Sequence, residues 1–146
     1  MDHKAHTEAV EQAMIAIRRR QTRRALARQA DLVADLATYD VLDAVEAAEQ
    51  TDQQATVTTI ATALAMDQPR ASKLVAKAVA AGLVQRQADQ RDGRRALLVR
   101  TELGRATSER IHEARRAAFD LAMADWSPRE RAEFAGLLTR FVAALP

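Results

Sequence analysis

The sequence predicts a mainly α fold of six helices, with one small β-hairpin set between the fourth and the fifth. Three observations lead there. Alanine supplies much of the 48% hydrophobic content and aromatics make up only 3%, so the apolar positions are small and helix-favouring. Apolar residues recur at intervals of three and four over most of the chain. The exception is the stretch from Leu83 to Thr101, where two short runs containing Leu and Val flank charged residues and Gly93.

The first helix runs from Glu8 to Arg28. Val10, Met14 and Ile17 form its apolar stripe, and Arg18, Arg19, Arg20, Arg23, Arg24 and Arg28 its polar side. Those arginines can face phosphates, the acidic second helix or solvent. The second helix fits Tyr39 to Ala48, with Thr38 as N-cap, Val41, Leu42 and Val45 inward and an acidic face outward. After the polar stretch Gln50 to Ala55, Thr56 caps a third helix that carries Val57, Ile60, Ala61 and Leu64 and ends near Ala65. Asp67 restarts the count. The fourth helix, Gln68 to Ala81, has Pro69 in its first turn, where the missing N–H costs nothing, and Gly82 just past its end. Two short helices across a tight turn are a helix-turn-helix.

Leu83 to Ala88 and Ala96 to Thr101 then read as a hairpin with the charged tip Asp89 to Arg95. Thr101 caps a fifth helix reaching about Asp125, with Ile111, Ala114, Ala118, Phe119 and Ala122 on one side. The sixth opens on a capping box, Ser127-Pro128-Arg129-Glu130, and carries Phe134, Leu137, Leu138, Phe141, Val142 and Leu145. The stripes of the first and last helices are too apolar for water. They pack together across two subunits, or within one chain against the fifth helix.

Charge separates the segments. Residues 1–30 carry seven basic and three acidic side chains, residues 31–67 none and eight, residues 68–100 eight and two, and residues 101–146 seven and seven. A basic block beside an acidic one, on a chain with a pI near 9.5, is the footprint of a surface aimed at a polyanion. The acidic block would repel a duplex, so it is expected to point away from DNA or toward the arginines of the first helix. With no cysteine, disulfides, thiolate metal sites and thiol redox sensing are excluded. No run of eighteen apolar residues occurs, and Met1 to Glu11 is charged and polar, so a cytoplasmic chain with no membrane contact is expected. There is no Gly-x-Ser-x-Gly elbow, phosphate-binding glycine loop or His-Glu-x-x-His pair, and no enzyme activity is expected. His3 and His6 stand three apart and His112 is distant, but terminal histidines are usually disordered, and neither a metal nor a cofactor is expected.

The order helix, helix, turn, helix, hairpin, helix, with its charge in the fourth helix and the hairpin, is the plan of a winged helix-turn-helix. Gln68, Arg70, Ser72, Lys73 and Lys77 supply donors for base edges and phosphates, while Leu74, Val75, Ala78 and Val79 supply the buried side. Gln68 suits adenine and Arg70 guanine, with Ser72, Lys73 and Lys77 left for phosphates. In the tip, Asp89, Arg91, Asp92, Arg94 and Arg95 crowd together. The carboxylates read as braces that fork onto neighbouring guanidinium groups and limit the entropy lost when these enter a groove.

Tyr39-Asp-Val-Leu, Ile60-Ala, Leu64, Ala71-Ser-Lys, Gly82-Leu-Val, the wing Asp89-Gln-Arg-Asp-Gly-Arg-Arg and Thr101-Glu-Leu-Gly together resemble the MarR family of bacterial regulators. The motifs cover residues 36–105, and the flanking helices match in layout only. The resemblance implies a single domain over 1–146, with 36–101 as the DNA-binding lobe and 8–35 and 102–146 as dimerisation helices. It implies a homodimer on a palindromic operator, acting as a repressor of nearby genes and released by a small anionic or aromatic effector. It also implies a wing-tip arginine in the minor groove, which matches Arg94, with Asp89 or Asp92 as its orienting partner. Two residues depart from the pattern. Ala65 stands where the family often has glycine, so the turn is strained or of another type, and Lys73 replaces a common arginine, which weakens any bidentate contact there. The competing readings are an architectural protein that coats DNA without reading it, and a winged helix that binds protein. A regulator prefers its operator by ~10³ or more, and the charge of residues 68–100 argues against the protein-binding reading.

Overall fold

The computed structural model describes residues 2–20 and 36–146. Among them are six helices and one hairpin: α1 (His3–Arg20), α2 (Leu36–Gln50), α3 (Val57–Ala63), α4 (Gln68–Ala80), β1 (Val84–Ala88), β2 (Ala96–Arg100), α5 (Glu102–Ala122) and α6 (Pro128–Ala144). The end of the expected first helix, with Arg23, Arg24 and Arg28, lies outside the described residues. The chain forms two compact units, residues 1–114 and residues 115–146.

In the first unit, α2, α3, α4, the hairpin and the start of α5 close around one core of Val41, Leu42, Val45, Ile60, Val75, Val84, Leu98 and Ile111. Small residues let the helices approach: Ala71 and Ala78 are fully buried on the inner face of α4. Helix starts follow local chemistry. Thr56 accepts from Thr59 N–H at 3.2 Å while the Thr59 hydroxyl accepts from Thr56 N–H at 2.8 Å, which closes a capping box. Asp67 accepts from Arg70 N–H at 2.8 Å, with Pro69 in the first turn of α4. Two boundaries differ from expectation. Thr38 does not cap α2: it lies buried within the helix, whose described residues start at Leu36. α5 ends at Ala122, not near Asp125.

Between α3 and α4 the chain turns at Ala65, whose φ of 51° is left-handed. Gly82, with φ 75°, ends α4 in the same region of the map and leads into β1. The strands pair antiparallel from Val84 opposite Arg100 to Ala88 opposite Ala96. Ala55, in the polar connection after α2, bridges to the hairpin: Leu98 N–H donates to its carbonyl at 2.8 Å. Thr101 then caps α5 by accepting from Gly104 N–H at 2.9 Å and donates its own hydroxyl proton to the Gly82 carbonyl. Gly104 is required there, since a Cβ would stand 2.0 Å from the Leu83 carbonyl oxygen.

α1 buries no residue, and Val10, Met14 and Ile17 are exposed. In the second unit, Trp126 meets Phe134 edge to face at 5.1 Å between ring centres, and Arg131 bonds Asp120 and the Met123 carbonyl. α6 begins at the expected capping box and leaves Leu137, Leu138, Val142 and Leu145 exposed.

Candidate nucleic-acid interface

The exposed surface of α4 is set by what its other side buries. With Ala71, Val75 and Ala78 inward, Gln68, Arg70, Ser72, Lys73 and Lys77 are all exposed. Gln68 and Arg70 leave the first turn in different directions. The Gln68 amide leans onto α3, where its Nε2 donates to Thr58 Oγ1 at 3.4 Å. Arg70 lines a cavity of about 270 Å³ under the turn, together with Asp40, Leu64, Ala65, Met66 and Leu74.

The wing tip is ordered by its aspartates, though not in the way expected. Asp89 is buried and accepts from Arg91 N–H at 2.9 Å, and Asp92 accepts from Arg94 N–H at 3.1 Å. These are turns closed by a side chain on its own backbone two residues on. Two main-chain bonds finish the loop, one across its base from Asp89 N–H to the Arg95 carbonyl and one closing the turn from Arg95 N–H to the Asp92 carbonyl, both 3.0 Å. The braces therefore act on the main chain, because a carboxylate in a tight turn reaches a nearby N–H before it reaches the end of a long side chain. Arg91, Arg94 and Arg95 are exposed, and Asp92 bonds the main chain of Arg94 and not its guanidinium.

Three residues escaped the sequence reading. Thr58 is exposed beside Gln68, and only the nearness of α3 to α4 reveals it. Arg86 is exposed on β1 and adds a cation to the wing; its place in the basic block was the available signal. Arg100, at the end of β2, turns inward to the carboxylates of α2 and is not part of the exposed cationic surface. Among the described residues no group of three or more His, Asp or Glu side chains could hold a metal ion, and no helix is long and apolar enough to cross a membrane.

Residues 33–95 match a family model described as MarR family. No curated protein matches the chain. Among solved structures the chain is similar to the transcriptional regulator BldR from Sulfolobus solfataricus, at TM-score 0.69 and 19% identity over 99% of this chain and 100% of that one. It is similar to a mutant of S. aureus MepR bound to an oligodeoxyribonucleotide, at 0.62 and 22% over 95% and 98% of the two chains. A further likeness is to S. aureus MepR bound to ethidium bromide, at 0.61 and 22% over 94% and 96%. At these identities the likenesses show a common fold.

Proposed function

We propose, from the match of residues 33–95 to the MarR family model, that this chain belongs to that family and is a DNA-binding transcriptional regulator which represses nearby genes from a palindromic operator. α4 enters the major groove, with Gln68 and Arg70 at base edges and Ser72, Lys73 and Lys77 on phosphates. Arg94 reaches the adjacent minor groove, Asp89 and Asp92 shape the loop that presents it, and Arg91 and Arg95 add charge near the backbone. The observation that carries this reading is the exposure of every cation of α4 and of the wing tip.

A palindromic site calls for two lobes, hence two chains. The exposed apolar side chains of α1 and α6 support a homodimer in which the helices of residues 8–35 and 102–146 form the interface. Half-site centres would then lie about 34 Å apart, one turn of the duplex. Release by a small molecule fits the cavity beside Arg70, where an anionic or aromatic ligand would bind next to a base-reading side chain. Such a ligand acts only by preferring a form of the dimer that does not fit the operator.

The test is fluorescence anisotropy of the protein on its own upstream intergenic DNA against scrambled DNA, at several salt concentrations. A preference of ~10³ with one dimer per site supports the regulator. Equal affinity for both duplexes, steeply salt-dependent, would replace it with an architectural protein.

A further inference from the structure

The ion pairs of the winged lobe converge on the root of the hairpin. Arg100 closes β2, and its side chain is only 14% exposed. Its guanidinium sits between two carboxylates of α2: Nη2 is 2.7 Å from Glu49 Oε2, and Nη1 is 3.4 Å from Glu46 Oε1. Nε also donates to Glu49 Oε2, at 2.9 Å. The backbone of the same residue is held twice more. Its N–H donates to Glu49 Oε1 at 3.4 Å, and its carbonyl accepts from Arg105 Nη1 at 3.0 Å. Glu46 is fixed from its far side by α5, where His112 Nε2 lies 2.9 and 3.0 Å from its two oxygens.

A two-stranded hairpin is marginal by itself and takes its orientation from whatever it is fastened to. Here the main-chain fastening is slight: Leu98 N–H on the Ala55 carbonyl, and Thr101 N–H on the Leu83 carbonyl at 3.0 Å. A planar, always-charged fork gripping two carboxylates adds direction as well as attachment, and at this depth salt screens it less than a surface pair. Arg100 belongs to the basic block by sequence but is neutralised inside the lobe, so it is not available to a phosphate.

We propose that Arg100, gripped by Glu46 and Glu49, is a positioning residue for the wing. It sets the angle of the hairpin on the lobe so that Arg94 meets the minor groove while α4 occupies the major groove. The proposal rests on the DNA-binding reading above. Arg94 then contributes to binding only while the root is held, which couples two residues at opposite ends of one strand and its turn.

The test compares the full-length chain with Arg100→Met, Glu49→Gln, Arg94→Ala and the paired variants Arg100→Met/Arg94→Ala and Glu49→Gln/Arg94→Ala. Amide hydrogen exchange is read in the free proteins, and anisotropy on the upstream duplex. Exchange of the hairpin amides is expected to rise about tenfold in Arg100→Met and less in Glu49→Gln, with the amides of α4 unchanged. Arg94→Ala is expected to weaken binding about tenfold in the native background and less than about twofold beside Arg100→Met. Hairpin exchange that stays at the native rate in both root variants overturns the proposal. So does an Arg94→Ala effect that stays undiminished beside them. If Arg100→Met loses the protection of α4 as well, the Glu49→Gln pair gives the same comparison in a folded protein. A native chain that binds no duplex refutes the DNA-binding reading, while the exchange data alone still decide whether Arg100 holds the wing.

Discussion

Ala65 turns the chain between α3 and α4 against its own side chain. A left-handed φ of 51° costs an alanine about 1–2 kcal/mol, because Cβ crowds the following carbonyl. Ala65→Gly removes that strain but gives the unfolded chain more freedom, so the net gain in stability is expected to be about 0.5–1 kcal/mol by chemical denaturation. A loss would mean that the methyl group's contacts outweigh its strain. Gly104 is the opposite case. Its missing Cβ lets α5 lie against the Leu83 carbonyl, and Gly104→Ala is expected to destabilise the protein by about 3 kcal/mol or more, read the same way. The two positions were not equally legible. Ala65 stood out only through the resemblance, as an alanine where that family often has glycine, and the left-handed φ bears out a strained turn. Gly104 owes its identity to the Leu83 carbonyl some twenty residues away; the sequence marks it only as the end of the Thr101-Glu-Leu-Gly motif, without the reason.

The helices show why starts are easier to read than packing. Thr56, Ser127 and both prolines in first turns act over three or four residues, and each sits where the sequence puts it. Thr38 misleads for the complementary reason: it is buried within α2, where the demands of the core override its capping preference. The grip on Arg100 and the bridge from Ala55 to Leu98 join distant segments and leave no periodic trace. The cap of α6 makes a measurable claim. Glu130 accepts from Ser127 N–H at 2.7 Å, which holds its carboxyl below the usual carboxylate range, with the Ser127 hydroxyl adding to the effect. Because the folded value is lowered, the contribution of this cap is complete above the ordinary carboxylate value and is lost as pH falls through the lowered one. The Ser127 amide proton shift should follow that transition by NMR, and Glu130→Gln should abolish it. A midpoint at or above the ordinary value would contradict the cap.

For the molecule as a whole, the proposed dimer rests on the exposed apolar side chains of α1 and α6. Removing residues 127–146 is expected to give a monomer by sedimentation and to weaken operator binding at least tenfold, as two tethered half-site contacts become independent ones. A truncated chain that still dimerises with native affinity would refute the architecture. The order of the chain also has a consequence in time. The segments of α2, α3 and α4 follow one another closely, so their contacts close short loops. Glu49 and Arg100, by contrast, are 51 residues apart, and Glu46 and His112 are 66 apart. Chain entropy makes such closures late events. The wing is therefore expected to dock after the helices have condensed, and Arg100→Met should speed unfolding while leaving the refolding rate nearly native. In a chain being synthesised, α4 would take shape before the residue that aims its companion hairpin has been added.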